Sequence, residues 1–139
     1  MNRLGLAILL ATTVPALAEP VLPPTDAEKA RWTMSDMRTL ATAIEAYAID
    51  HKTYPAGTTL SAVLAKLEPI YIRKAPSRDA WGHDFLYQCG QDGVSYMLVS
   101  VGSDGLADPA TWASAGPLTE FDQDAVFSTG QFVRPWPFR

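Results

Sequence analysis

The stretch TDAEKARWTMSDMRTLATAIEAYAID, Thr25 to Asp50, decides the fold. Thr25 and Glu28 have the spacing of a capping box: the threonine hydroxyl accepts from a first-turn N–H and the glutamate reaches back to the cap. No proline or glycine interrupts residues 27–52. Ala30, Thr33, Met34, Met37, Leu40, Ala41, Ile44, Tyr47 and Ala48 recur at steps of three and four, while Ser35, Asp36, Arg38, Thr39, Thr42 and Glu45 lie opposite. That spacing predicts a helix over about Asp26–Asp50 with one mostly apolar stripe. No second stretch of comparable length exists, so the remainder of the chain should pack against this stripe.

On the N-terminal side, Met1-Asn2-Arg3 is a short positive start, Leu4 to Leu17 is apolar and uncharged, and Ala16-Leu17-Ala18 is an A-x-A site before Glu19. Residues 1–18 therefore read as a cleavable signal peptide, too short for a confident membrane span. With no cysteine at the cleavage point, lipid anchoring there is not expected. The mature chain should be periplasmic or secreted, without stable membrane insertion. Residues 19–24, with Pro20, Pro23 and Pro24, read as an extended spacer. Residues 25–139 are of a size for one globular domain. The formal net charge of −4 argues against a general nucleic-acid binder. The single cysteine, Cys89, cannot form an internal disulfide and reads as a buried apolar filler.

Beyond the helix, Tyr54-Pro55-Ala56-Gly57 is a break. Thr58 or Thr59 can cap a short second helix with Leu60, Val63, Leu64 and Leu67 on one side, ended by Pro69. Ile70 to Ser77 is a basic connector. The period then changes to that of strands. Phe85–Cys89 and Ser95–Val101 predict an antiparallel hairpin, and Ala125–Ser128 with Gln131–Val133 a second one. Gly102 to Thr119 has no period and reads as a long loop, a feature often tied to function. The tail from Arg134 cannot continue a central strand, because Pro135 and Pro137 lack the needed N–H. The fold class is α+β.

The charges are unevenly sorted. Asp79, Asp84, Asp92, Asp104, Asp108, Glu120, Asp122 and Asp124 fall between Asp79 and Val133, a span with no lysine or arginine. Carboxylates held together repel, more so as they lose water. Either they are splayed into solvent or a cation sits among them, and a hard divalent cation takes such oxygen ligands. Asp104-Gly105 and Asp122-x-Asp124 could converge if the strands flanking the loop are neighbours. The spacing is not that of an EF-hand. Catalytic patterns are weaker: His83 with Ser100, Ser103 or Ser128 lacks any nucleophile framework, and His83-Asp84 lacks spaced metal-ligating partners. Trp81, Phe85, Tyr87 and Tyr96 read as core rather than as a stacking platform.

Four blocks, in order, carry a family resemblance. They are Ser35-Asp36-Met37-Arg38-Thr39-Leu40-Ala41-Thr42-Ala43-Ile44-Glu45-Ala46-Tyr47 with Asp50 and Tyr54-Pro55, then Ala75-Pro76 running into Asp79-Ala80-Trp81-Gly82-His83-Asp84-Phe85-Leu86-Tyr87, then Ser95-Tyr96 through Ser100-Val101-Gly102-Ser103-Asp104-Gly105, and Asp122-Gln123-Asp124-Ala125-Val126. Together they resemble the globular part of the major pseudopilin of type II secretion, protein G. The resemblance implies a long N-terminal helix on a small antiparallel sheet, non-enzymatic action, protein partners that include secretion-system components, and a calcium-binding loop. Asp104, Asp122 and Asp124 occupy the matching ligand positions. Asp108, inside the loop and without a counterpart, is a further candidate. The apolar polymerisation helix of that family, with its prepilin-peptidase glycine, is replaced here by the A-x-A start, so a soluble exported head domain is expected. The alternative is a free-standing calcium-dependent binding module unrelated to secretion.

Overall fold

In the computed structural model, which describes Gly5 and residues 7–137, Thr25 caps helix α1, Asp26–His51. The capping box forms as read: Thr25 Oγ1 accepts from the Glu28 N–H at 3.3 Å, and the Thr25 N–H donates to Glu28 Oε2 at 2.8 Å. The helix stops where Lys52 turns left-handed at φ 63°, its N–H donating to the Ala48 carbonyl. The face spanning Ala30, Thr33, Met34, Met37, Leu40, Ala41, Ala43 and Ile44 is buried, with Tyr47 and Ala48 half-buried. Each large apolar side chain sealed there contributes about 1.5–3 kcal/mol. Helix α2, Leu60–Leu67, is capped by Thr59, whose hydroxyl accepts from the Ala62 N–H, and it buries Leu60, Val63 and Leu67.

Four strands form one antiparallel sheet in chain order: β1 (Leu86–Cys89), β2 (Tyr96–Ser100), β3 (Ala125–Ser128) and β4 (Gln131–Arg134). Tyr87, Tyr96, Leu98, Ala125 and Phe127 join the helix-side core. The opposite face is also covered: Val99 and Val126 are buried beneath Trp112, with Leu86, Met97 and Val133 around them. The cover comes from the long loop, which crosses the sheet and carries a 3-10 turn at Pro109–Thr111. The loop then runs along β4, where the Gly116 N–H donates to the Val133 carbonyl and the Leu118 N–H to that of Pro135. Ladder pairing ends before Pro135, and Trp136 folds back, fully buried, with its ring 5.3 Å from that of Trp81.

Phe85 and Val101 lie outside the ladders, although both are buried. The Phe85 N–H instead donates to Ser77. Cys89 is half-buried rather than buried. It ends an edge strand beside the turn, its Sγ 3.5 Å from the Gly90 carbonyl. Of the signal-like segment, Met1 to Leu4 and Leu6 lie outside the described residues, as do Phe138 and Arg139 of the tail. Residues 7–24 are exposed and form no helix or strand, and no described helix is long and apolar enough to cross a membrane. Among the described residues, every helix, strand and core residue lies beyond Thr25.

Candidate metal centre in the long loop

Ser100 pairs with Ala125 across β2 and β3, so the loop between these strands begins and ends at one end of the sheet. Its two ends are tied by the Ser103 N–H donating to the Phe121 carbonyl at 2.8 Å. Gly102, at φ +72°, passes so close that a Cβ there would strike the carbonyls of Phe121 and Gln123. Asp104 Oδ1 accepts from the Leu106 N–H at 2.9 Å and closes a tight turn. At the far end, Gln123 Oε1 accepts from the N–H groups of Thr119 and Glu120.

Asp124 is 2% exposed, and both donors to its Oδ2 come from the loop: the Trp112 indole N–H at 2.6 Å and the Asp108 N–H at 2.7 Å. A charged acceptor strengthens such bonds, and the buried carboxylate is the anchor that holds Trp112 over the sheet. Asp104, Asp108 and Asp122 are exposed. With Asp124 they line one cleft of about 220 Å³. All four sequence candidates are thus brought to one place. Their donors are the hard oxygens that calcium takes. Among the described residues, however, no three acidic, histidine or cysteine side chains are gathered tightly enough to form a ready ligand group. Asp124 is turned toward Trp112 and Asp104 toward its own turn.

Arg134 lines the same cleft and donates to the Thr111 carbonyl. It is the first cation after the long acidic span, and its sequence neighbours do not reveal it, because its place in the cleft depends on its pairing with Val126 across the sheet. Trp112 was missed as well. Its one sequence signal is a large aromatic residue in a loop otherwise made of small and polar ones.

The remaining carboxylates separate from this set. Asp84 pairs with Arg78 at 3.0 Å on the surface, an interaction of about 0–1 kcal/mol. Asp92 Oδ1 accepts from the Val94 N–H in its own turn. Asp79 is buried: its Oδ1 accepts from the N–H groups of Trp81 and His83, and its Oδ2 accepts from the Ser100 hydroxyl at 2.8 Å. His83 Nδ1 lies 2.9 Å from the Gly102 carbonyl, which only accepts, so that nitrogen carries the proton. The carboxylate stands between serine and histidine, and Ser100 is fully buried. This order cannot pass the serine proton to histidine, so the arrangement is not that of a hydrolase triad. It fastens the Trp81-Gly82-His83 turn to the start of the loop. Phe85, Tyr87 and Tyr96 are buried in the core and Trp81 is half-buried, as read.

A long capped helix on a four-stranded antiparallel sheet, with an acidic loop returning over it, defines an α+β pseudopilin-like head. The family model described as type II secretion system (T2SS), protein G matches residues 21–113, more than half of the chain. The chain belongs to the type II secretion system protein G family. The match takes in Asp104 and Asp108 and ends before Asp122 and Asp124. No curated protein matches the chain.

Proposed function

We propose that this protein is a non-enzymatic, exported head domain that works by protein–protein contact in or near the type II secretion machinery, and that calcium in the acidic cleft stabilises it. The observation that carries the calcium reading is the convergence of Asp104, Asp108, Asp122 and Asp124 on one cleft. Asp104 and Asp122 would supply exposed carboxylate oxygens and Asp124 the oxygen not engaged by Trp112, with loop carbonyls completing the set. The cation offsets like-charge repulsion and ties the start of the loop to its end. The buried, serine-facing Asp79 supports a structural rather than a catalytic use of the Ser100–Asp79–His83 group. Family membership supports secretion components as partners. Pull-down of the chain from Glu19 onward out of a periplasmic extract, under crosslinking, tests this. Enrichment of secretion pseudopilins or secretin-associated proteins is expected. Recovery of none of them, with and without calcium, would argue against a place in that machinery.

A further inference from the structure

The sheet has two edges, and the fold treats them differently. Residues 116–118 run along β4, bonding the carbonyls of Val133 within it and Pro135 just beyond it. The outer edge of β1 has only its first position filled, where the Phe85 N–H donates to the Ser77 carbonyl at 3.0 Å. The Gly90 N–H donates to the Ser95 carbonyl, so the even-numbered residues of β1 face β2 and the odd-numbered ones face away. Tyr87 and Cys89 therefore direct their N–H and C=O groups outward. Among the described residues no group bonds either pair. Tyr87 is nonetheless 2% exposed, and buried backbone groups are nearly always paired.

A groove of about 530 Å³ lies along this edge. Leu60 and Leu64 of α2 form one wall, and Leu86 and Trp112 of the opposite sheet face form the other. Arg78 and Asp84 pair with each other at the rim, leaving no net charge for a ligand to match.

We propose that the β1 edge receives an extended segment of a partner polypeptide as an added strand, continuing the line that Ser77 begins. The N–H and C=O of Tyr87 and Cys89 supply the main-chain bonds, and successive side chains of the guest fall alternately against the two apolar walls. The guest is therefore uncharged and β-branched, without proline at the pairing positions. A second copy pairing through its own β1 would bring the same Leu60–Leu64 and Leu86–Trp112 walls to the contact, so a single extended segment is the occupant proposed.

The probe is the blocked peptide acetyl-Thr-Val-Thr-Val-Thr-amide, added to the chain from Glu19 onward. The readout is amide hydrogen exchange followed residue by residue. Binding slows exchange at Tyr87 and Cys89 on the order of tenfold, leaves β4 unchanged, and fails when the peptide's alternate nitrogens are methylated. Leu64→Lys weakens the effect. The methylated peptide provides the same control without touching the fold. Equal exchange at Tyr87 and Cys89 with and without millimolar peptide overturns the proposal. So does concentration-dependent protection of these amides in the protein alone, accompanied by a dimer in sedimentation, which would assign the edge to self-association.

Discussion

The Trp112 indole N–H donates to Asp124 Oδ2 at 2.6 Å across a loop that starts and ends at one corner of the sheet. This contact joins two tasks. It holds a large aromatic over Val99 and Val126, closing the second face of the sheet, and it fixes one carboxylate of the acidic cleft. One carboxylate of the cleft is thus bonded to the residue that seals a hydrophobic cluster, and loop order and sheet packing are coupled.

Asp124→Ala should lower stability by about 2–3 kcal/mol even with calcium chelated, because the buried Trp112 indole N–H and the part-buried Asp108 N–H lose their acceptor. A merely solvated acid would behave otherwise, since its removal relieves repulsion. Urea unfolding of the chelated variant distinguishes the two cases.

Trp112→Phe should cost about 1–2 kcal/mol by losing the hydrogen bond while keeping much of the packing. Trp112→Ala should cost about 3–5 kcal/mol by also opening a cavity over Val99 and Val126. The spacing between the two variants, from denaturant midpoints at constant slope, measures how the contact divides between bonding and burial.

Local features were legible in the sequence, and long-range ones were not. The capping box at Thr25, the stripe from Ala30 to Ile44 and the apolar run Tyr96-Met97-Leu98-Val99 of β2 are set by neighbours a few residues apart. A periodic pattern reports these directly. The loop has no period, so nothing in it says that Trp112 crosses to the far sheet face or that Asp124 is buried rather than solvated. The four candidate aspartates could be grouped because charge sorting survives in one dimension. Arg134 escaped because its place in the cleft depends on its pairing with Val126, not on the residues beside it. The edge groove at β1 was invisible for a related reason: a strand's sequence does not say which of its edges the fold leaves open.

Gly102→Ala should destabilise by about 2–4 kcal/mol. A left-handed φ and a carbonyl-lined space with no room for a methyl group act together there. Gly82→Ala serves as the comparison: its φ is also positive, at +89°, but nothing lies within 4 Å of the added carbon, so only the conformational cost of about 1 kcal/mol remains. Thermal unfolding of both variants separates crowding from backbone strain.

Two buried tyrosines set an alkaline limit. Burial raises the phenol of Tyr87 well above its ordinary value near 10, and burial together with the charge of Glu45 does the same for Tyr96. A raised folded-state value means that the stabilisation is complete below the unfolded value of about 10 and is lost progressively as pH rises from there through the raised folded-state value. The Tyr87 hydroxyl donates to the Pro55 carbonyl at 2.8 Å, whereas that of Tyr96 has no hydrogen-bond partner among the described residues. Tyr96→Phe should therefore be neutral, or stabilising by up to about 1 kcal/mol at pH 7, and should flatten the alkaline decline. Tyr87→Phe should cost about 1 kcal/mol. Unfolding curves at pH 7 and above pH 10 check both signs.

Thermal unfolding of the chain from Glu19 onward, in excess calcium and in excess chelator, is the most direct measurement. At a free concentration about a hundred times Kd, linkage gives roughly 2.7 kcal/mol, which for a domain of this size is a rise of several degrees. Magnesium should not reproduce the rise, and Asp104→Asn, an exposed site, should abolish it while leaving the chelated midpoint unchanged. Identical midpoints in calcium and chelator would contradict the account and leave the cleft as a solvated acidic loop held in place by Trp112 and Asp124.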